Sequence, residues 1–172
     1  MKSTRSAFVL GLAVAVWACG GDDPVTIEIA DLAGSWTATR FEFTDHAYPA
    51  LSIDAISDAD GTLNLTIQES GAFQGTLRVP DITVDPQSGE TITVPLGGTF
   101  SINGSTLIVD FNAATEAFDL LSDFEADFTL RDDVLTIVND DSSFDFPDDI
   151  EQLFGAPPRG DVPVTLTVRL VR

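Results

Sequence analysis

Beyond residue 31, almost every apolar segment of this chain is short and alternates with period two. That rhythm confines it to strands with one dry face and one wet face. In the stretch 62–68, Leu63, Leu65 and Ile67 fall on one side, with Thr62, Asn64, Thr66 and Gln68 on the other. The stretch 123–130 alternates the same way. So does the last one, where Val162, Val164, Leu166, Val168 and Leu170 stand opposite Thr165, Thr167 and Arg169. Successive side chains of a strand point to opposite faces, so this pattern predicts half-buried antiparallel strands.

Turn chemistry cuts these strands at short intervals. Asp58-Ala59-Asp60-Gly61, Glu69-Ser70-Gly71, Asn103-Gly104 and Arg131-Asp132-Asp133 all read as hairpin loops. A hairpin theme also recurs at 73–77, 100–107 and 128–138, which we take as meander geometry rather than a solenoid period. From Trp36 to Arg172 the chain holds about eight to ten strands. Helix is confined to 148–154, with acids in its first turn and Gly155 as a stop, while 113–121 is either a short helix or a loop. A run of hairpins with one apolar face must close on itself or stack as two sheets. The short connections favour closure, so the expected fold is all-β: an antiparallel up-and-down β-barrel with at most one or two short helices.

The N-terminus has a different logic. Met1–Ser6 carries Lys2 and Arg5, and residues 7–17 form an apolar run of 11 residues ending before Ala18-Cys19. A bilayer span takes roughly 20 residues, so this is a secretion signal rather than a membrane helix. Cleavage before Cys19 divides the chain into a signal at 1–18, a tether at 19–30 and a barrel domain at 31–172. It removes two basic residues and no acid, leaving six Arg against 28 Asp and Glu. Such charge argues against nucleic acid and anionic membrane surfaces as partners, and weakly for a monomer. With one His and one Cys in the chain, no zinc cluster and no internal disulfide can form.

Three stretches resemble known families. Val16-Trp17-Ala18-Cys19 is similar to the lipobox of bacterial lipoproteins, which implies lipidation of Cys19 and attachment to membrane through that lipid alone. The absence of Asp directly after Cys19 implies outer-membrane rather than inner-membrane sorting in the bacterial envelope. Asp31-Leu32-Ala33-Gly34-Ser35-Trp36 resembles the Gly-x-Trp opening of lipocalins and bacterial lipocalin-like lipoproteins, and the stretch 98–107 resembles their mid-barrel hairpin. The likeness implies that Gly34 and Trp36 close one end of the barrel, with an arginine of the last strand over the indole. Arg169 is the candidate by position, although its alternation faces it outward; Arg172 stands at the chain end.

A barrel of about eight strands can hold one small ligand or be filled by its own side chains. The inward candidates are Leu63, Leu65, Ile67, Phe73, Leu77, Phe100, Ile102, Phe124, Phe128 and Leu166, and Gly75 among bulky neighbours could leave room. An apolar lining suits a small hydrophobic molecule such as a fatty acid, sterol or isoprenoid. The alternative is a filled barrel that contacts another envelope protein. The acidic stretch 139–149 lacks the spacing of the twelve-residue calcium loop and reads as a solvated loop, with Phe144, Phe146 and Phe154 as candidates to cover the barrel mouth. His46 beside Asp45 has no nucleophile elbow, and no phosphate loop or cofactor motif is present. The sequence therefore reads as a binding or structural protein rather than an enzyme, with no metal site and no cofactor.

Overall fold

The computed structural model describes residues 27–80, 91–116, 122–145 and 160–172. Among these residues nine strands run in chain order: β1 (Gly34–Asp45), β2 (Ser52–Asp54), β3 (Thr62–Ile67), β4 (Ala72–Pro80), β5 (Thr91–Asn103), β6 (Thr106–Phe111), β7 (Phe124–Arg131), β8 (Val134–Asp145) and β9 (Asp161–Val171). From β3 onward each strand pairs antiparallel with the next, and β9 pairs with β1. The result is a closed eight-stranded up-and-down barrel, with β2 as an extra strand laid against the second half of β1. Closure leaves no full-length free edge, which is how such a sheet avoids pairing with other chains.

Alternation predicts the inside well. In β3 the burial runs exposed–buried through all six residues, with Leu63, Leu65 and Ile67 inward. Five alternate residues of β9, from Val162 to Leu170, are likewise buried. The expected hairpin turns at 69–71, 103–104 and 131–133 join β3 to β4, β5 to β6 and β7 to β8. In the last of these Asp132 and Asp133 both take positive φ, at 50° and 61°, the backbone of a two-residue turn matched to strand twist. The stretch 73–77 is not a hairpin but the middle of β4, because its partners lie on β3 and β5 rather than within itself.

Two glycines make tight corners. A Cβ on Gly75 would collide with the Asn64 carbonyl, and one on Gly98 with the Asp110 carbonyl. Glycine inside a strand commonly marks such a close backbone approach. The space beside Gly75 is therefore not a void: the Leu65 side chain already occupies it.

β1 serves three neighbours. Its first four residues pair with β3, its remainder pairs with β9, and Glu42–Thr44 also pair with β2. A register shift between Ala38 and Arg40 makes the transition. Asp54 holds it in place: one carboxylate oxygen accepts the amides of Phe41 (2.9 Å) and Ile56 (3.0 Å), and the other accepts the Ser57 hydroxyl (3.1 Å).

Helix is minimal. A 3-10 turn (Ile29–Leu32) precedes β1, and one short helix, α1 (Ala113–Glu116), follows β6. That resolves the first part of the ambiguous stretch 113–121 as a single helical turn. Thr115 of α1 is fully buried; its Oγ1 accepts the Gly97 amide (2.9 Å) and donates to the Pro95 or Gly97 carbonyl. It covers the edge of β5 above the point where β6 stops. Cys19, the signal segment and the expected helix at 148–154 with Phe146 and Phe154 lie outside the described residues.

Candidate ligand-binding site

The barrel has one end with short connections and one with long ones. The short end carries the β3–β4, β5–β6 and β7–β8 turns, and the 3-10 turn lies across it. Ile27 and Ile29, placed in the tether by the sequence reading, pack against the core here, and Leu32 is fully buried.

Trp36 seals this end. It is 1% exposed, and its Nε1 donates to the Leu32 carbonyl at 2.8 Å. The guanidinium that covers the indole belongs to Arg172, not to Arg169, with its central carbon 4.9 Å from the ring centroid. Arg169 is exposed on the outer face of β9, as its alternation requires. Arg172 follows β9 and so escapes the strand's two-sided rule. Its Nη1 donates to the Asp31 and Ala33 carbonyls (3.1 and 3.0 Å), and its Nε pairs with Asp133 at 2.7 Å. Gly34 has φ of 147°, a conformation that glycine alone adopts readily, and the Arg172 side chain passes 3.6 Å from where a Cβ would sit. The residues of the Gly-x-Trp pattern thus meet as one cluster.

Above this plug the cavity lining is apolar, although Asp45 of β1 and Asn139 of β8 are also buried. All ten inward candidates belong to the core or pack against it. Seven are buried (Leu63, Leu65, Ile67, Phe73, Leu77, Phe100 and Leu166), while Ile102, Phe124 and Phe128 are half-buried. Leu63, Leu65, Phe73, Phe100, Phe124 and Leu166 line a cavity of about 50 Å³. Ile67, Leu77, Ile102 and Phe128 do not reach it. Phe41, Leu96, Val109, Phe111, Ile137, Val168 and Leu170 complete the lining. The signal for these was present: each lies at an even spacing from another inward residue of its own strand.

Aromatic packing sets the size of that space. Phe73 stacks on Phe100 with centroids 4.4 Å apart and takes Phe111 edge-on at 5.8 Å, and Phe111 meets Phe124 at 6.1 Å. Phe111 and Phe124 are half-buried at the end of β6 and the start of β7, where the wall gives way to a longer connection. A second group starts from Phe41 of the lining, with Phe43 edge-on to Phe41 and stacked on Phe144 at 4.2 Å. Ligand sites commonly run to about 300–1,000 Å³, whereas a single water needs only about 10–15 Å³. The barrel in this state is therefore close to filled.

His46 has an unexpected setting. Its Nε2 lies 3.2 Å from the Thr165 hydroxyl, which donates to Asp140 at 2.7 Å. The hydroxyl sits between imidazole and carboxylate on the exposed outer face, so the histidine is not placed to relay its proton as a hydrolase triad requires. Among the described residues, no three His, Cys, Asp or Glu side chains converge to hold a metal. The described part of the acidic stretch, 139–145, is the second half of β8, paired with β9 on both sides of a register shift between Asn139 and Ser142. Compared with known proteins, the chain matches no family model, no curated protein and no solved structure.

Proposed function

We propose that this chain is a lipocalin-like lipoprotein of the bacterial envelope, tethered through lipid on Cys19, whose barrel takes up one small apolar molecule. The observation that carries the reading is a barrel plugged at one end by Trp36 and Arg172, with a cavity above that plug lined by apolar side chains alone. A ligand would enter from the end with the longer connections and displace the half-buried rings of Phe111 and Phe124. Burying apolar surface at about 25 cal/mol per Å² drives such uptake without any polar contact. The signal-like residues 1–18 and the Gly-x-Trp cluster support the envelope setting.

The size of the cavity favours a second reading. With about 50 Å³ free, the barrel also fits a filled structural lipoprotein whose outer surface contacts another envelope protein. One experiment separates the two. In residues 20–172 Trp36 is the only tryptophan, so its fluorescence reports on the plug while fatty acids, isoprenoids and sterols are titrated in. Native mass spectrometry of the same sample reveals a co-purified lipid. Saturable change or a bound lipid supports uptake; an inert interior in both assays refutes it and leaves the filled barrel. The anchor is tested separately: Cys19→Ser should move the protein from the membrane to the soluble fraction, and retention in the membrane would refute lipidation there.

A further inference from the structure

Charge is spread unevenly over this barrel. The sequence contains 28 Asp and Glu, yet β3, β4 and β5 contain none, and Arg78 is their one charged residue. The stretch of β1 that pairs with β3, Gly34–Thr37, is equally free of charge. Three neighbouring strands there present an outer face of short neutral polar side chains. Register sets them in two rows, Ser35–Thr66–Gln74 and Thr37–Asn64–Thr76. With strands about 4.8 Å apart and every second residue about 6.7 Å along, these groups form a regular grid of donors and acceptors.

The grid borders a groove of about 550 Å³, which Leu65 and Gly75 also line where β4 runs tight against β3. Thr76 is half-buried and the other five polar residues are exposed. The Thr37 hydroxyl donates to Asn64 Oδ1 at 3.1 Å, which orients that amide and leaves its Nδ2 to donate outward.

We propose that this groove binds an uncharged saccharide. Hydroxyl and carboxamide groups each donate and accept, matching the hydroxyls of a sugar ring. No ionised group lines the groove, so a neutral polyol would displace water without stripping a charge of its hydration. A cationic ligand would find no counter-charge in the groove, and an anionic one is repelled by a chain of net charge −20. A second copy of the chain fits less well, because a stable interface needs about 800 Å² per partner around an apolar centre, and this face offers short polar side chains.

The test is calorimetric titration of the full chain with maltohexaose, cellohexaose and chitohexaose, alongside a galacturonic acid oligomer. The expected result is saturable binding of at least one neutral oligomer and none of the acidic one. The double variant Asn64→Asp with Gln74→Glu should weaken that binding about tenfold or more, while Asp127→Asn on the far side of the barrel should leave it unchanged. Both are exposed substitutions, and unchanged circular dichroism establishes that they fold. No saturable heat with any neutral oligomer overturns the proposal, as does equal binding by the double variant or equal binding of the acidic oligomer. Sedimentation is the remaining arm: a dimer dissociated by the same double variant would assign the face to a second copy.

Discussion

The sharpest mechanical prediction concerns the plug formed by Trp36 and Arg172. Trp36→Ala removes the largest fully buried side chain and orphans the Leu32 carbonyl. Large aromatic-to-alanine changes in a core cost about 3–5 kcal/mol, which is a large share of the 5–15 kcal/mol typical of a domain. Arg172→Ala should cost less, about 2 kcal/mol. Its ion pair with Asp133 is partly exposed, at 32% and 64% of the two side chains, so it contributes at most about 1 kcal/mol. The two carbonyl contacts and the indole face supply the remainder. Urea unfolding followed by far-ultraviolet circular dichroism measures both, and with a slope of about 1–3 kcal/mol per molar urea the Trp36 change is well resolved. The double variant should lose about 0.5–1 kcal/mol less than the two single losses added together, because each removes the other's partner. A Trp36→Ala loss below about 1 kcal/mol, or strict additivity, would refute the claim that the pair works as one plug.

Three further outcomes follow from the geometry. Asp54→Ala strips the acceptor from the Phe41 and Ile56 amides at the β1 register shift, so thermal unfolding should show a loss of about 2–3 kcal/mol; under 0.5 kcal/mol would mean water replaces it without cost. Gly75→Ala drives a methyl group into the Asn64 carbonyl and should destabilise by about 1–3 kcal/mol in chemical denaturation, with a neutral result contradicting the tight β3–β4 corner. Phe124→Ala removes one wall of the internal cavity and should let a small apolar probe such as benzene bind, read by a ligand-dependent rise in melting temperature; no rise at saturating benzene would mean the space collapses instead.

The barrel was readable because its evidence is periodic. Leu63, Leu65 and Ile67 announce their face without help, and turns such as Asp132-Asp133 punctuate the strands. What sequence could not supply was placement between strands distant in the chain. Arg172 lies beyond the alternation of β9, so no rule of two predicts its turn back over Trp36. Phe111 obeys the alternation of β6, whereas Phe41 falls in phase only after the register shift in β1, and only the register between neighbours brings the two to one cavity. Gly75 reads as missing volume, but volume is decided by what leans in from β3. The neutral outer face was half visible, because β3, β4 and β5 carry a single charge among them, but only the register shows which of these residues lie side by side.

The pairing of β9 with β1 also sets an order of events. Thr39 meets the Arg169 carbonyl across 130 positions of sequence, so this seam is the longest-range contact of the ring and carries the largest loop-closure cost. Every other ladder of the meander can zip as its hairpin emerges, whereas the seam must wait for β9. Until then the sheet is an open ribbon with β1 and β8 as bare edges, both long enough to capture another chain. A nascent molecule halted before residue 161 would therefore be sticky rather than merely incomplete.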